Sequence, residues 1–279
     1  MIMHPIYITL ISIGSALLFL FILWLFLVKP GRRRAEMEKF KKIKYAHRGL
    51  HNERMPENSL AAFRAAVSAG FGIELDVRLT SDGELVVFHD DTLDRMTGES
   101  GRVDARTLSE LKMIRLGNSD EKIPTFKEVL ELVAGRVPLL VELKEDAGKY
   151  GVTEKAVELL RDYKGEFIIE SFNPLAMGRV KKLMPEVLRG FLSENFVSQK
   201  KYRKPMYFVL QHQLLNFVCR PDFIAYRHND YSNGSLKFVR RAFGAATLAW
   251  TVRSKEEERE AYSHGFDGVI FEGYLPDKK

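Results

Sequence analysis

Cysteine is almost missing from this chain: of 279 residues only Cys219 carries a thiol. An internal disulfide and a multi-cysteine zinc site are both excluded, and the composition fits a reducing compartment. The lone thiol reads as a buried apolar group rather than a nucleophile. Charge is missing from Ile6 to Val28, and no Lys or Arg precedes that run. Its 23 residues are enough to cross a hydrocarbon core of about 30 Å at about 1.5 Å per residue. The segment also lacks the basic n-region, the shorter apolar stretch and the small-residue cleavage site of a signal peptide, so an uncleaved anchor over 1–28 is expected.

Basic residues crowd in directly afterwards. Lys29, Arg32, Arg33, Arg34, Lys39, Lys41, Lys42 and Lys44 are opposed only by Glu36 and Glu38. The positive-inside rule places whatever follows in the cytoplasm, with the N-terminus outside. This short segment accounts for the whole formal net charge of +6, and residues 45–279 are balanced. The excess therefore belongs to a juxtamembrane linker over 29–43, where it meets anionic headgroups. A nucleic-acid-binding domain would carry its excess in the folded part, which weighs against nucleic acid as a partner.

From Tyr45 onward no low-complexity segment appears, and short apolar runs alternate with amphipathic ones. Strands are expected at 43–47, 71–76, 137–144, 166–171, 187–193, 222–226, 246–252 and 267–271, and helices at 58–69, 125–133, 153–162, 174–184 and 255–264. Eight strands alternating with helices in one domain, 44–279, is the signature of an α/β protein of the (β/α)8 TIM-barrel type. A ninth run, 84–89, follows Thr80-Ser81-Asp82-Gly83. Asp-Gly between extended runs signals a two-residue antiparallel hairpin, so that run opens an insertion of about 80–123 after the second strand.

In such barrels active sites form at the carboxyl ends of the strands. The first strand ends in Ala46-His47-Arg48-Gly49, the second contains Glu74-Leu75-Asp76, and the third ends in Glu142-Leu143-Lys144. Alternation puts Glu74 and Asp76 on one face, and Glu142 and Lys144 on one face. Three carboxylates at one end of a barrel repel unless a cation joins them, and oxygen-only ligands suit Mg²⁺ or Ca²⁺. In a two-residue hairpin Asp76 would face His89, which brings that histidine beside the carboxylates.

Taken in order, His47-Arg48-Gly49, Pro56-Glu57-Asn58-Ser59, Glu74-Leu75-Asp76, Asp82-Gly83 with His89-Asp90, Glu142-Leu143-Lys144 and Trp250-Thr251-Val252 resemble the glycerophosphodiester phosphodiesterases. The likeness runs from about Tyr45 to Leu275. It implies a TIM-type barrel that hydrolyses a glycerophosphodiester to sn-glycerol 3-phosphate and an alcohol with one divalent cation. By that resemblance Glu74, Asp76 and Glu142 hold the metal, and His47 and His89 are acid and base. Arg48 and Lys144 then meet phosphate oxygens, and Trp250 reads as a wall of the pocket. Two positions depart from the family pattern: Arg253 stands where an Asn usually follows Trp-Thr-Val, and Phe271-Glu272 where a Thr-Asp pair is usual. Both bear on the substrate-binding rim.

Other readings stand beside these. Arg48 and Lys144 are also candidates for plain ion pairing with the carboxylates, and His228 reads as a solvated loop residue on the active face. Phe191, Phe196, Tyr202, Tyr207 and Phe208 are either core or an apolar lip for an acyl chain. A lysophospholipase D acting on membrane lysolipids is the alternative within the enzyme class. A catalytically silent, membrane-tethered barrel that binds headgroups is the alternative outside it.

Overall fold

The computed structural model describes residues 5–146, 148–198 and 204–277. The chain opens with helix α1 (Pro5–Val28) and helix α2 (Arg34–Lys41), then enters strand β1 (Lys44–Ala46), helix α3 (Leu60–Ala69) and strands β2 (Gly72–Leu79) and β3 (Leu85–Val87). Short helices α4 (Asp94–Thr97) and α5 (Leu108–Leu111) precede α6 (Phe126–Val133), β4 (Leu139–Leu143), α7 (Gly151–Asp162) and β5 (Phe167–Ser171). The second half runs α8 (Pro174–Leu183), β6 (Arg189–Ser193), α9 (Pro205–Gln211), α10 (Asn216–Cys219), β7 (Phe223–Arg227), α11 (Gly234–Phe243), β8 (Ala246–Val252), α12 (Lys255–Ser263) and β9 (Gly268–Phe271).

Eight parallel strands close into a barrel, because β1 pairs with β2 on one side and with β9 on the other. Local chemistry sets the helix ends. Ser59 accepts from the Ala62 amide at the start of α3, and Gly70 ends it in the left-handed region. Thr125 and Glu128 form a capping box on α6. Apolar residues of alternate strand positions fill two layers, one inside the barrel and one between strands and helices. The insertion carries its own small core around Val86, Phe88, Leu93, Leu111 and Ile123.

Two expectations from sequence are corrected here. The hairpin register is shifted by one residue, with Leu79 opposite Leu85 and Val77 opposite Val87. The loop has three residues, Ser81 to Gly83, because the Thr80 amide donates to Glu84 O at 2.9 Å and Gly83 (φ 84°) turns through the left-handed region. A three-residue loop of this kind is a common alternative to the two-residue turn. Phe88, not His89, therefore meets Asp76, its amide donating to Asp76 O at 3.0 Å. The second correction concerns 29–43. Rather than a free linker, Arg34–Lys41 is helical and buries Met37 and Phe40. They pack with Tyr45, Leu140 and Phe223 at the end of the barrel where the strands begin. The alternation of Met37 and Phe40 with Lys and Glu supplies one apolar face, and the open barrel end supplies the surface that takes it.

Candidate active site

The site sits at the carboxyl ends of the strands, in a cavity of about 350 Å³ whose lining includes His47, Arg48, Glu74, His89, Glu142, Lys144, Glu170, Phe172 and Trp250. β1 ends at Ala46, and the chain turns through Arg48 (φ 55°) and Gly49 (φ 83°). A Cβ on Gly49 would lie 2.9 Å from the backbone of Ala62, so only glycine lets this turn pack against α3. The turn directs the Arg48 amide to Glu74 Oε2 at 2.9 Å. Asn58, itself at φ 57°, donates from Nδ2 to Asp76 Oδ2 at 2.8 Å.

Glu74 and Asp76 on β2 and Glu142 on β4 point inward. One ligand oxygen from each lies within 4.8 Å of the other two, and all three residues are buried. Asp76 Oδ2 takes the Asn58 amide, and its Oδ1 has only the Lys144 ammonium, at 2.9 Å. Burial and the neighbouring charges of Asp76 and Glu142 push the Glu74 carboxyl well up, and burial raises Glu142. Burial opposes ionisation of Asp76 too, yet Lys144, His89 and Arg48 together hold it well below the usual range. A convergent, buried, oxygen-only set of three carboxylates, whose mutual repulsion Lys144 and Arg48 only partly offset, fits a hard divalent cation.

The two histidines are oriented by carboxylates. His47 Nδ1 lies 2.5 Å from Glu272 Oε2, and His89 Nδ1 lies 2.6 Å from Asp90 Oδ1. With Nδ1–H donating to a carboxylate, each ring keeps Nε2 for the cavity. Burial lowers both imidazoles, His89 to about 4, so each favours the neutral form; the hydrogen bond draws Glu272 down to about 2. His89 reaches the cavity despite the shifted register because the chain leaves the ladder after Val87 and the Arg78 guanidinium holds His89 O at 2.6 and 2.8 Å.

Arg48 bonds Glu57 at 2.7 Å and approaches Asp76 at 3.5 Å, while Lys144 pairs with Glu142 at 2.6 Å and Asp76 at 2.9 Å. Glu57 continues through Arg95 to Asp90, so one chain of charges links Arg48 to His89. Trp250 forms a wall with Phe172, the rings perpendicular at 5.6 Å, and its Nε1 is buried without a partner. His228 is buried rather than solvated, lines the cavity and lies 3.6 Å from Glu257. Arg253 approaches Glu272 at 3.4 Å.

Sequence reasoning missed the carboxylates that orient the histidines, Glu272 and Asp90, although Asp90 follows His89 directly. It also missed Glu170, which stands opposite Glu142 in the β4–β5 register, is buried, and has Oε2 unpartnered. Inward alternation with Ile168 and Phe172 was the signal that would have found it.

The sequence profile of the Glycerophosphoryl diester phosphodiesterase family matches residues 47–273. This chain belongs to that family, and it is an enzyme, a glycerophosphodiester phosphodiesterase. A glycerophosphodiester phosphodiesterase of Caldanaerobacter subterraneus subsp. tengcongensis is 34% identical over 243 residues, which is 82% of this chain and 93% of that protein. Human glycerophosphodiester phosphodiesterase 1 is 29% identical, covering 83% of this chain and 78% of its own length. Among solved structures, an Oleispira antarctica phosphodiesterase in complex with the product sn-glycerol-3-phosphate superposes with TM-score 0.70 at 27% identity, over 84% of this chain and 94% of that one. A Thermotoga maritima glycerophosphodiester phosphodiesterase gives TM-score 0.64 at 29% identity, over 82% and 94%. Family membership gives the reaction class, the barrel and a glycerophosphodiester substrate.

Proposed function

We propose that this phosphodiesterase hydrolyses glycerophosphodiesters to sn-glycerol 3-phosphate and an alcohol, with His47 and His89 as the acid–base pair. One divalent cation, Mg²⁺ or Ca²⁺, would be held by Glu74, Asp76 and Glu142. Bound there, it supplies charge neutralisation to the nonbridging phosphate oxygens. The observation that carries the reading is the coincidence, in one cavity, of that buried donor set with two histidines whose Nδ1 atoms are held by carboxylates. One imidazole, neutral, takes the proton of the attacking water at Nε2; the other must enter the step protonated, gives its Nε2 proton to the departing alcohol oxygen, and proton exchange with solvent restores both. Arg48 and Lys144 meet the phosphate from the cavity wall; a guanidinium fork suits two phosphate oxygens. Trp250 and Phe172 give the same cavity an apolar wall.

We also read the chain as single-pass: 1–28 an anchor, 29–43 basic and juxtamembrane, and 44–279 the catalytic domain in the cytoplasm. What supports it is a helix near the N-terminus with 23 uncharged, predominantly apolar residues, Ile6–Val28, followed by the basic cluster. A tag after Lys279 is expected to resist protease in intact cells; cleavage from outside reverses the orientation.

The catalytic reading is tested with glycerophosphocholine and the full-length protein. Hydrolysis is expected to stop in EDTA, to return on adding Mg²⁺ or Ca²⁺, and to be absent in Glu74→Ala, Asp76→Ala and Glu142→Ala proteins that remain folded. Full activity after thorough chelation would overturn the cation, and full activity in the carboxylate variants would overturn the assignment of these residues.

A further inference from the structure

We propose that the β6–β7 connection is a bilayer-contacting surface, in which α9 rests in the headgroup region with Met206 and Phe208 toward the acyl chains. The proposal depends on α1 being a membrane span and extends that reading to a face of the barrel.

The exposed apolar groups are unevenly placed. Among the described residues outside α1, large apolar side chains with more than a third of their surface exposed are few, and Val197, Met206 and Phe208 all belong to this connection. They are not loosely hung. The Ser193 hydroxyl donates to Leu210 O at 3.1 Å, the Tyr226 hydroxyl donates to Gln211 O at 3.2 Å, and the Val197 amide donates to Gln211 Oε1 at 3.0 Å. The helix is thereby pinned to the rim of β6 and β7 with Met206 and Phe208 outward.

The same connection receives the end of α1. Asn216 Nδ2 donates to Val28 O at 2.8 Å, and Arg220 donates to Phe26 O at 3.0 Å and Lys29 O at 2.8 Å. These groups satisfy carbonyls that a helix end leaves open. Val28 is fully buried, with Ile224 and Val239 in the same core cluster, and Phe26 meets Phe217 at 5.7 Å. Gln211, the last residue of α9, precedes Asn216 by five positions, so at most about 18 Å of chain separates α9 from the point where α1 is held. A surface that close to an inserted helix is within reach of the interface.

Charge points the same way. Between Glu194 and Asp222 the sequence contains Lys200, Lys201, Arg203, Lys204 and Arg220 and no acidic residue, although basic and acidic groups balance over residues 45–279 as a whole. Exposed apolar side chains in a stretch of sequence whose charged residues are all basic are the pattern of an interfacial segment on anionic lipid. A soluble protein partner has no such claim on a patch beside the anchor.

The surface also leads inward. Tyr207 on α9 meets Phe196 at 5.5 Å, Phe196 meets Phe172 at 6.1 Å, and Phe172 meets Trp250 in the cavity wall at 5.6 Å. This aromatic row joins the proposed contact surface to the catalytic cavity. It gives a one-chain phosphodiester lipid, whose acyl tail remains in the bilayer, an apolar route to the site. Tyr202, expected from sequence as part of this lip, lies outside the described residues.

The test uses the full chain in vesicles of phosphatidylcholine and phosphatidylglycerol. Cys219 is fully buried, so Phe208→Cys and, as a control on the insertion, Met113→Cys each take a polarity-sensitive fluorophore at one place. Nitroxide groups on the acyl chains are expected to quench the label at 208 and leave the label at 113 bright. Equal quenching at the two positions, or none at 208 in protein that resists alkaline extraction, overturns the surface. Protein that alkaline carbonate extracts overturns both the span and the surface. In a second measurement, Met206→Glu with Phe208→Glu is expected to retain hydrolysis of dissolved glycerophosphocholine while losing about tenfold on vesicle-borne lysophosphatidylcholine, since the change alters local encounter and not the catalytic groups. Equal losses on both substrates overturn the route to the cavity. Quenching at 208 in protein that hydrolyses neither substrate keeps the surface and sinks the catalytic reading instead.

Discussion

Phe40 closes the end of the barrel opposite the active site, and its removal measures how much the juxtamembrane segment contributes to the fold. The ring is 4% exposed and lies in the same cluster as Met37, Tyr45 and Phe223. Truncation to Ala removes apolar contacts and leaves a hole, at a combined cost of about 3 to 5 kcal/mol for a buried Phe. The upper half of that range applies, because strands locked in a closed ladder cannot collapse into the space. Against a total stability of about 5 to 15 kcal/mol for a domain, this is a large fraction. At about 2 to 4 °C per kcal/mol for a chain of this size, Phe40→Ala should lower Tm by about 8 to 20 °C. Near-ultraviolet circular dichroism of the purified protein in mild detergent reads the transition, with Phe208→Ala, an exposed ring of the same kind, as the control. The same reasoning makes a chain beginning at Tyr45 less stable than one beginning at Trp24, since only the second keeps α2 and Arg33, which is paired with Asp222. A Phe40→Ala transition within a degree of the parent, or two truncated chains that melt together, would refute the view that α2 belongs to the barrel.

His47→Ala and His89→Ala are each expected to lower turnover by about 10² to 10⁴. The double variant should fall far short of the product of the two, since both act on one reaction path; single-turnover rates that multiply cleanly count against shared chemistry. Burial pushes the Cys219 thiol up to about 12, so thiol reagents at pH 8 should leave the native protein unmodified and react once urea unfolds it; prompt labelling of native protein contradicts the packing. The Glu272 carboxyl is drawn down to about 2 by its hydrogen bond with His47, against about 4.3 for an unperturbed Glu. Its folded value is depressed, so its contribution is present in full above the unfolded value and is lost as pH falls through the folded one. Urea midpoints measured across that window should fall more gently for Glu272→Gln than for the parent, and parallel curves would show that the pair is not linked to folding.

The sequence by itself determined the barrel and most of its site. Eight apolar runs with helices between them leave few alternatives, since parallel strands need a crossover each, and the inward positions of Glu74, Asp76, Glu142 and Lys144 follow from the two-residue period of a strand. Strand ends were legible to within a few residues, and β8 to the residue. The basic segment after the apolar run was legible as charge, but its fold was not. Whether Met37 and Phe40 lie free or packed depends on an open barrel end that no local pattern encodes. The hairpin register was decided by Gly83 turning through a three-residue loop, a choice that Asp-Gly alone leaves open. Tertiary structure alone decided which carboxylates hold the histidines. Glu272 reaches His47 across 225 positions of chain because β1 and β9 are neighbours in the closed sheet. It alone also decided that α1 ends on α10 and that Glu170 stands opposite Glu142, because such contacts are set by closure of the barrel, which brings together side chains with no sequence relation to one another.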